Sequence, residues 1–222
     1  MKLFSKIDHP NIIKILEAYE DKFKIYFILD MPKGESLFNR IMNRGQIEEA
    51  NSATIAAYLA SIAKYLHKNG IILRNLRAET LVFEDYESWD LKLLDLSLAI
   101  ERWMYREGQP DILFDEYSRL MPIYRAPELF AAKKKYDESV DLWSIGCLIF
   151  NMVTGVPPFY ESDDAGLQNA IAHGNYEANF PLFEELTTPD LHELISKLLV
   201  TNAASRMTSD ELVADKWINS AH

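Results

Sequence analysis

A loop that cradles phosphates needs closely spaced glycines, because only glycine lets the backbone approach an anion so nearly. The chain has eight: Gly34, Gly45, Gly70, Gly108, Gly146, Gly155, Gly166 and Gly174. No two are separated by a single residue, so every Gly-x-Gly phosphate loop is excluded, and no Walker A pattern fits. Thiol and metal chemistry are equally sparse. The single cysteine, Cys147, can form neither an internal disulfide nor a Cys-rich zinc site. His67, His173 and His192 lack metal-ligand spacing and read as helix-surface or C-terminal histidines. No Asp-x-Asp-x-Asp-Gly loop with a twelfth-position glutamate occurs, so no calcium-binding EF-hand is encoded.

Charge narrows the partners. With 23 basic and 34 acidic residues the net charge is −11, the wrong sign for sequence-independent nucleic-acid binding but compatible with a basic peptide or protein. Apolar residues make up 48% of the 222, enough to offset the entropy of ordering. Asp8, His9 and Pro10 interrupt any signal-like start. The most apolar stretch, Leu142 to Val153, carries Ser144 and Asn151 and is too short to span a bilayer. A soluble chain with no membrane contact, in a reducing, cytoplasmic setting, is expected.

The elements that must position any site follow from periodicity. After a short helix end, Ile12 to Leu16 and Lys24 to Leu29 are β-favouring runs around the turn Glu20-Asp21-Lys22. Ser36 to Met42 reads as a helix closed near Gly45. From Ala50 to Lys68, Ile55, Leu59, Ile62 and Leu66 form one apolar stripe, with Asn69-Gly70 as C-cap. A hairpin joins Leu81-Val82-Phe83 to Leu91–Leu94. Residues 95–125 have no period, which marks a functional segment, and Lys133-Lys134-Lys135 reads as a solvated loop. A nearly all-apolar helix, Asp137 to Thr154, must lie centrally, with Trp143 and Cys147 in the core. Three more helices finish the chain, one starting at Thr188-Pro189 and one at Thr208 with a capping box to Glu211.

Within this frame seven motifs stand in order. They are His9-Pro10-Asn11-Ile12-Ile13, Gly34-Glu35-Ser36-Leu37-Phe38, Arg74-Asn75-Leu76-Arg77-Ala78-Glu79-Thr80, Asp95-Leu96-Ser97, Tyr124-Arg125-Ala126-Pro127-Glu128, Asp141-Leu142-Trp143-Ser144-Ile145-Gly146-Cys147, and Arg206. This order resembles the protein kinases from residue 1 to about 218. Gly155-Val156-Pro157-Pro158-Phe159 and Lys216-Trp217-Ile218 look closest to the calcium/calmodulin-dependent and calcium-dependent group. The resemblance implies an α+β, protein kinase-like fold: residues 1–30 a remnant of the β-rich small lobe, 31–222 the mostly α-helical large lobe. The family's glycine loop, strand lysine and helix glutamate would fall before Met1.

The resemblance also assigns roles, several to residues that serve them poorly. Asn75 stands where the catalytic aspartate accepts a proton, and an amide has no useful basicity; such bases contribute on the order of 10²–10⁴ in rate. Thr80 replaces the metal-binding asparagine, Arg77 the loop lysine, Ser97 a glycine and Met121 a threonine. Asp95 keeps the magnesium-binding position, and a strand-end carboxylate capping local amides is its alternative. Asp30, Met31 and Ser36 fall at the nucleotide hinge. Arg74 matches the receiver of an activation-segment phosphate on Tyr105, Tyr117 or Ser118, or makes an ordinary ion pair. Glu79 reads basic substrate side chains or is merely solvated. Leu73 and Leu96 can pack in the internal column, Glu128 and Arg206 can pair, and Asp141 can accept catalytic-loop amides.

ATP and Mg²⁺ are therefore expected as cofactors only if residual family function survives. The leading expectation is a catalytically inactive pseudokinase that binds proteins, its partner a kinase or a basic peptide. A Ser/Thr kinase whose ATP-binding part is missing from this chain is the alternative. A regulatory subunit docking through open strand edges near residues 12–29 is a third reading.

Overall fold

Residues 9–13 set how the first strands meet the helical body. The computed structural model describes residues 7–104, 122–131, 135–176, 180 and 183–221. The helix end expected before Ile7, together with Tyr105, Tyr117, Ser118, Met121, Lys133 and Lys134, lies outside the described residues. β1 (Ile15–Glu20) and β2 (Ile25–Leu29) form an antiparallel hairpin with Tyr19 opposite Tyr26 and Ala18 opposite Phe27. A β-bulge lies between Ile15 and Glu17.

The expected first strand, Ile12 to Leu16, is displaced toward the C-terminus. Ile12 and Ile13 leave the hairpin and bury themselves against the helical body instead. Ile13 N donates to Leu93 O (2.9 Å) and Leu93 N to Asn11 O (2.8 Å), a parallel bridge onto the second hairpin. Asn11 Nδ2 also donates to Leu91 O (2.9 Å). His9 completes this seam. Asn11 N donates to its Nδ1 (3.1 Å), so Nε2 carries the proton toward Ser61 Oγ (3.0 Å). Asp8 N donates to Tyr65 Oη at 2.8 Å.

α1 (Leu37–Arg44) is capped by Ser36, and α2 (Glu49–Lys68) buries the Ile55, Leu59, Ile62 and Leu66 stripe. Arg40 of α1 is fully buried; its guanidinium lies 3.6 Å from the Phe83 ring centre and donates to Ser88 O, Asp85 O and Tyr86 O. β3 (Ile71–Ile72) follows, then β4 (Leu81–Phe83) pairs with β5 (Leu91–Leu93) as expected. β3 itself pairs with β6 (Ile100–Glu101), inside the segment that showed no period; two-residue strands are too short to show alternation.

α3 (Ser139–Thr154) is buried at every one of its 16 positions. Its end meets the end of α1. Gly155 has φ 78°, and a Cβ there would lie 2.0 Å from Gly45 O. α4 (Asp164–His173), α5 (Phe183–Leu186), α6 (Pro189–Leu198) and α7 (Ser209–Ala214) complete the described helices, so a one-turn helix joins the three expected. Thr188 caps α6, and Thr208 with Glu211 forms the capping box of α7. Glu49 ties three elements, accepting from Trp217 Nε1 (2.7 Å) and Thr188 N (3.1 Å) at the start of α2. Among the described residues no helix is long and apolar enough to cross a membrane.

Two outcomes follow from these contacts. Gly155→Ala must push the two helix ends apart and hold a left-handed alanine, at a cost of about 1–3 kcal/mol, read as a lower urea midpoint. For His9, burial lowers the pKa from the ordinary 6.5, against the upward pull of Asp8. The unfolded chain thus takes up the proton first. The seam's contribution is whole above pH 6.5 and is lost as pH falls through the lowered folded value. The melting temperature should drop between about pH 7.5 and about pH 5, and His9→Gln should flatten that slope.

Candidate functional site

One carboxylate organises the candidate site. Asp141, in the first turn of α3 and 2% exposed, accepts from Leu73 N (Oδ2, 2.9 Å) and Arg74 N (Oδ1, 2.8 Å). The α3 N-terminus favours a negative charge there. These two amides hold Arg74 at φ 65°, the one positive φ outside glycine among the described residues. Leu73 and Leu96 are buried in the core.

A third donor to Asp141 corrects the sequence reading. His67 is buried, not on the helix surface, and its Nε2 lies 2.9 Å from Asp141 Oδ2. The signal was present as small residues: Ala53, Ala56, Ala60, Ala63 and His67 step by three and four along α2. A stripe sought only in Leu and Ile passes over it.

The loop held by Asp141 presents the residues with chemical potential. Asn75 Nδ2 donates to Asp95 Oδ2 (3.1 Å), and Ser97 N donates to Asp95 Oδ1 (2.8 Å). Arg77 Nη2 stands 3.6 Å from the same Oδ2, with both side chains about a quarter exposed. Thr80 is 5% exposed, and its hydroxyl donates to Arg77 O at 2.9 Å. The fold therefore brings Asn75, Arg77 and Asp95 together and turns Thr80 inward.

A divalent cation at Asp95 would meet competition and few further ligands. Both Asp95 oxygens already accept hydrogen bonds, a guanidinium charge faces one of them, and the Thr80 hydroxyl is engaged with backbone. Among the described residues no group of three His, Cys, Asp or Glu side chains could hold a metal.

The remaining positions divide. Arg74 sends Nε to Leu98 O (2.8 Å) and Nη1 to Tyr136 Oη (2.8 Å), a partner with no sequence signal. Glu79 buries one oxygen, Oε2, without a hydrogen bond, close enough that its charge adds to burial in raising the Tyr124 pKa. At the hinge, Asp30 N donates to Lys14 O, Met31 is 56% exposed, and the Ser36 hydroxyl caps Asn39 N. Ser36 thus serves a helix end.

Arg206 locks the far side. Its Nη1 and Nη2 donate to Glu128 Oε1 (2.7 Å) and Oε2 (3.1 Å), Nη1 also to Ser139 O (2.8 Å), and Nε to Val200 O (3.0 Å). The guanidinium lies 5.1 Å from the Trp143 ring centre. Arg206→Met leaves the Glu128 charge without this partner and should cost about 3–5 kcal/mol, measured by chemical denaturation. Asp141→Ala orphans the Leu73 and Arg74 amides, at about 1–3 kcal/mol for each buried unpaired group, and should speed hydrogen exchange at both.

Comparison with known proteins agrees with this geometry. The protein kinase domain family matches residues 1–218. Calcium-dependent protein kinase 24 of Arabidopsis thaliana is 32% identical over 214 residues, spanning 96% of this chain and 35% of that protein. Calcium/calmodulin-dependent protein kinase type 1 of Macrobrachium nipponense is 28% identical over 225 residues, spanning 99% of this chain and 61% of that protein. The crystal structure of Rad53 kinase domain and SCD2 superposes with a TM-score of 0.81 at 25% identity, covering 98% of this chain and 75% of that one. The chain thus spans about a third of the first relative and less than two thirds of the second. By motif order, family match and shared architecture, it belongs to the protein kinase domain family and has that family's mainly helical α+β fold.

Proposed function

We propose that this chain is a catalytically inactive member of the protein kinase family, a pseudokinase that acts by binding other proteins. The observation that carries the reading is the bond from Asn75 to Asp95 at 3.1 Å. Phosphoryl transfer depends on positioning and on neutralising charge. Here the residue at the base position is an amide, and it is turned onto the carboxylate that would hold the metal. Arg77 supplies a fixed positive charge at the same carboxylate. What remains is a folded scaffold with an acidic surface, suited to a basic peptide or a protein partner.

The names of the relatives favour a second reading: a Ser/Thr protein kinase whose ATP-binding part lies outside this chain. The two separate experimentally. A ligand at about 100 times its dissociation constant stabilises a fold by roughly 2.7 kcal/mol. In a thermal-shift titration with millimolar ATP, with and without Mg²⁺ or Mn²⁺, no shift is expected. Phosphate incorporation into a basic peptide that disappears with Asp95→Ala would refute the inactive reading.

A further inference from the structure

Two buried polar atoms without a hydrogen-bond partner among the described residues belong to side chains that line one cleft: His67 Nδ1 and Ser139 Oγ. The cleft, about 710 Å³ in volume, lies between the end of α2, the start of α3 and residues 203–210, which lead into α7. None of its lining residues belongs to the Asn75, Arg77 and Asp95 cluster. His67 is 8% exposed and Ser139 9%, so both sit at its floor. A polar group left unpaired at such depth is costly, which asks for an occupant.

The surrounding bonds select its chemistry. Asp141 accepts the Leu73 and Arg74 amides, so it is the acceptor toward His67 as well, and Nε2 carries the proton. In the neutral ring Nδ1 is then a bare acceptor. Ser139 N donates to Asp137 Oδ1 (2.9 Å) and Ser139 O accepts from Arg206 Nη1 (2.8 Å), which leaves its hydroxyl. The buried guanidinium on the wall, Arg206, is already paired with Glu128, so the cleft does not favour an anion. A hydroxyl donates and accepts at once, which suits both orphaned atoms. Leu142 and Met207 supply apolar wall for the body that carries it. Lys64 and Asp210 pair at 2.9 Å on the exposed rim, and a surface pair of this kind opens readily.

We propose that this cleft binds a small uncharged molecule with a hydroxyl head and a compact apolar body. The hydroxyl donates to His67 Nδ1 and accepts from Ser139 Oγ, and the body lies on Leu142 and Met207. The imidazole also joins the site to the anchor of the loop, since its other nitrogen bonds Asp141. A donor at Nδ1 polarises the ring and strengthens the bond from Nε2. Occupancy therefore tightens the carboxylate that holds Leu73 and Arg74. The site is separate from any phosphate chemistry, and its test is independent of whether the chain is inactive.

Phenol is the probe, and toluene, of similar shape without the hydroxyl, is the control. Both are titrated into the intact chain while the ¹⁵N resonances of the His67 ring are followed. Phenol should move the Nδ1 resonance saturably, and toluene should not. Ser139→Ala should weaken phenol binding about three- to tenfold, the worth of one hydrogen bond. The same variant should keep its urea midpoint, because the hydroxyl has no partner to lose. Hydrogen exchange at the Leu73 and Arg74 amides should slow as phenol saturates. An Nδ1 resonance that phenol leaves in place, toluene acting as phenol does, Ser139→Ala binding phenol like wild type, or saturation without slower exchange would each overturn the proposal. A Ser139→Ala midpoint below wild type would mean that water already satisfies the hydroxyl, and would overturn it too.

Discussion

The carboxylate of Asp141 is the contact on which the rest of the site depends. It joins three parts of the chain that share no sequence proximity: the last turn of α2 through His67, the loop after β3 through two amides, and the first turn of the central helix. A left-handed Arg74 is unfavourable for a residue with a Cβ, and Asp141 offsets that strain with two charge-assisted bonds. Because α3 is buried at all of its positions, the anchor cannot drift without disturbing the core. The loop that presents Asn75, Arg77 and Asp95 therefore takes its shape from a residue that does no chemistry.

This separates two sets of residues. Asp141, Arg206 and Glu128 hold backbone or close a buried ion pair, and their geometry is complete. Asn75 and Arg77 converge on Asp95, while Thr80 turns inward onto Arg77 O and Arg77 Nε is buried without a hydrogen bond. Unpartnered polar groups in a partly enclosed cluster are costly, so such groups tend to find partners within the chain. The guanidinium beside Asp95 is such a partner: a positive charge that belongs to the chain.

Much of the fold was legible where one period runs long. The α2 stripe, the apolar α3 and the caps at Thr188 and Thr208 announce themselves within their own segments. The failures have physical causes. Ile12 and Ile13 have strand chemistry but leave the hairpin, because a parallel bridge to Leu93 buries them. Nothing near Ile12 in sequence encodes Leu93. His67 hides in a stripe of alanines, and Arg40 is a full positive charge in the core, paired with Glu35 at 3.1 Å and with carbonyls some 45 residues away. In the site, residue types showed what Asn75 could not do, but only the folded geometry shows where its amide points.

The bulge between Ile15 and Glu17 gives the two edges of the hairpin different characters. An extra residue breaks the regular spacing of N–H and C=O groups and increases the local twist, so a bulged strand is a poor template for further pairing. β2 has regular spacing and β1 does not. Growth past β1 would stall at the irregular rung. The bulge thus works against edge-to-edge association on the β1 side of the hairpin.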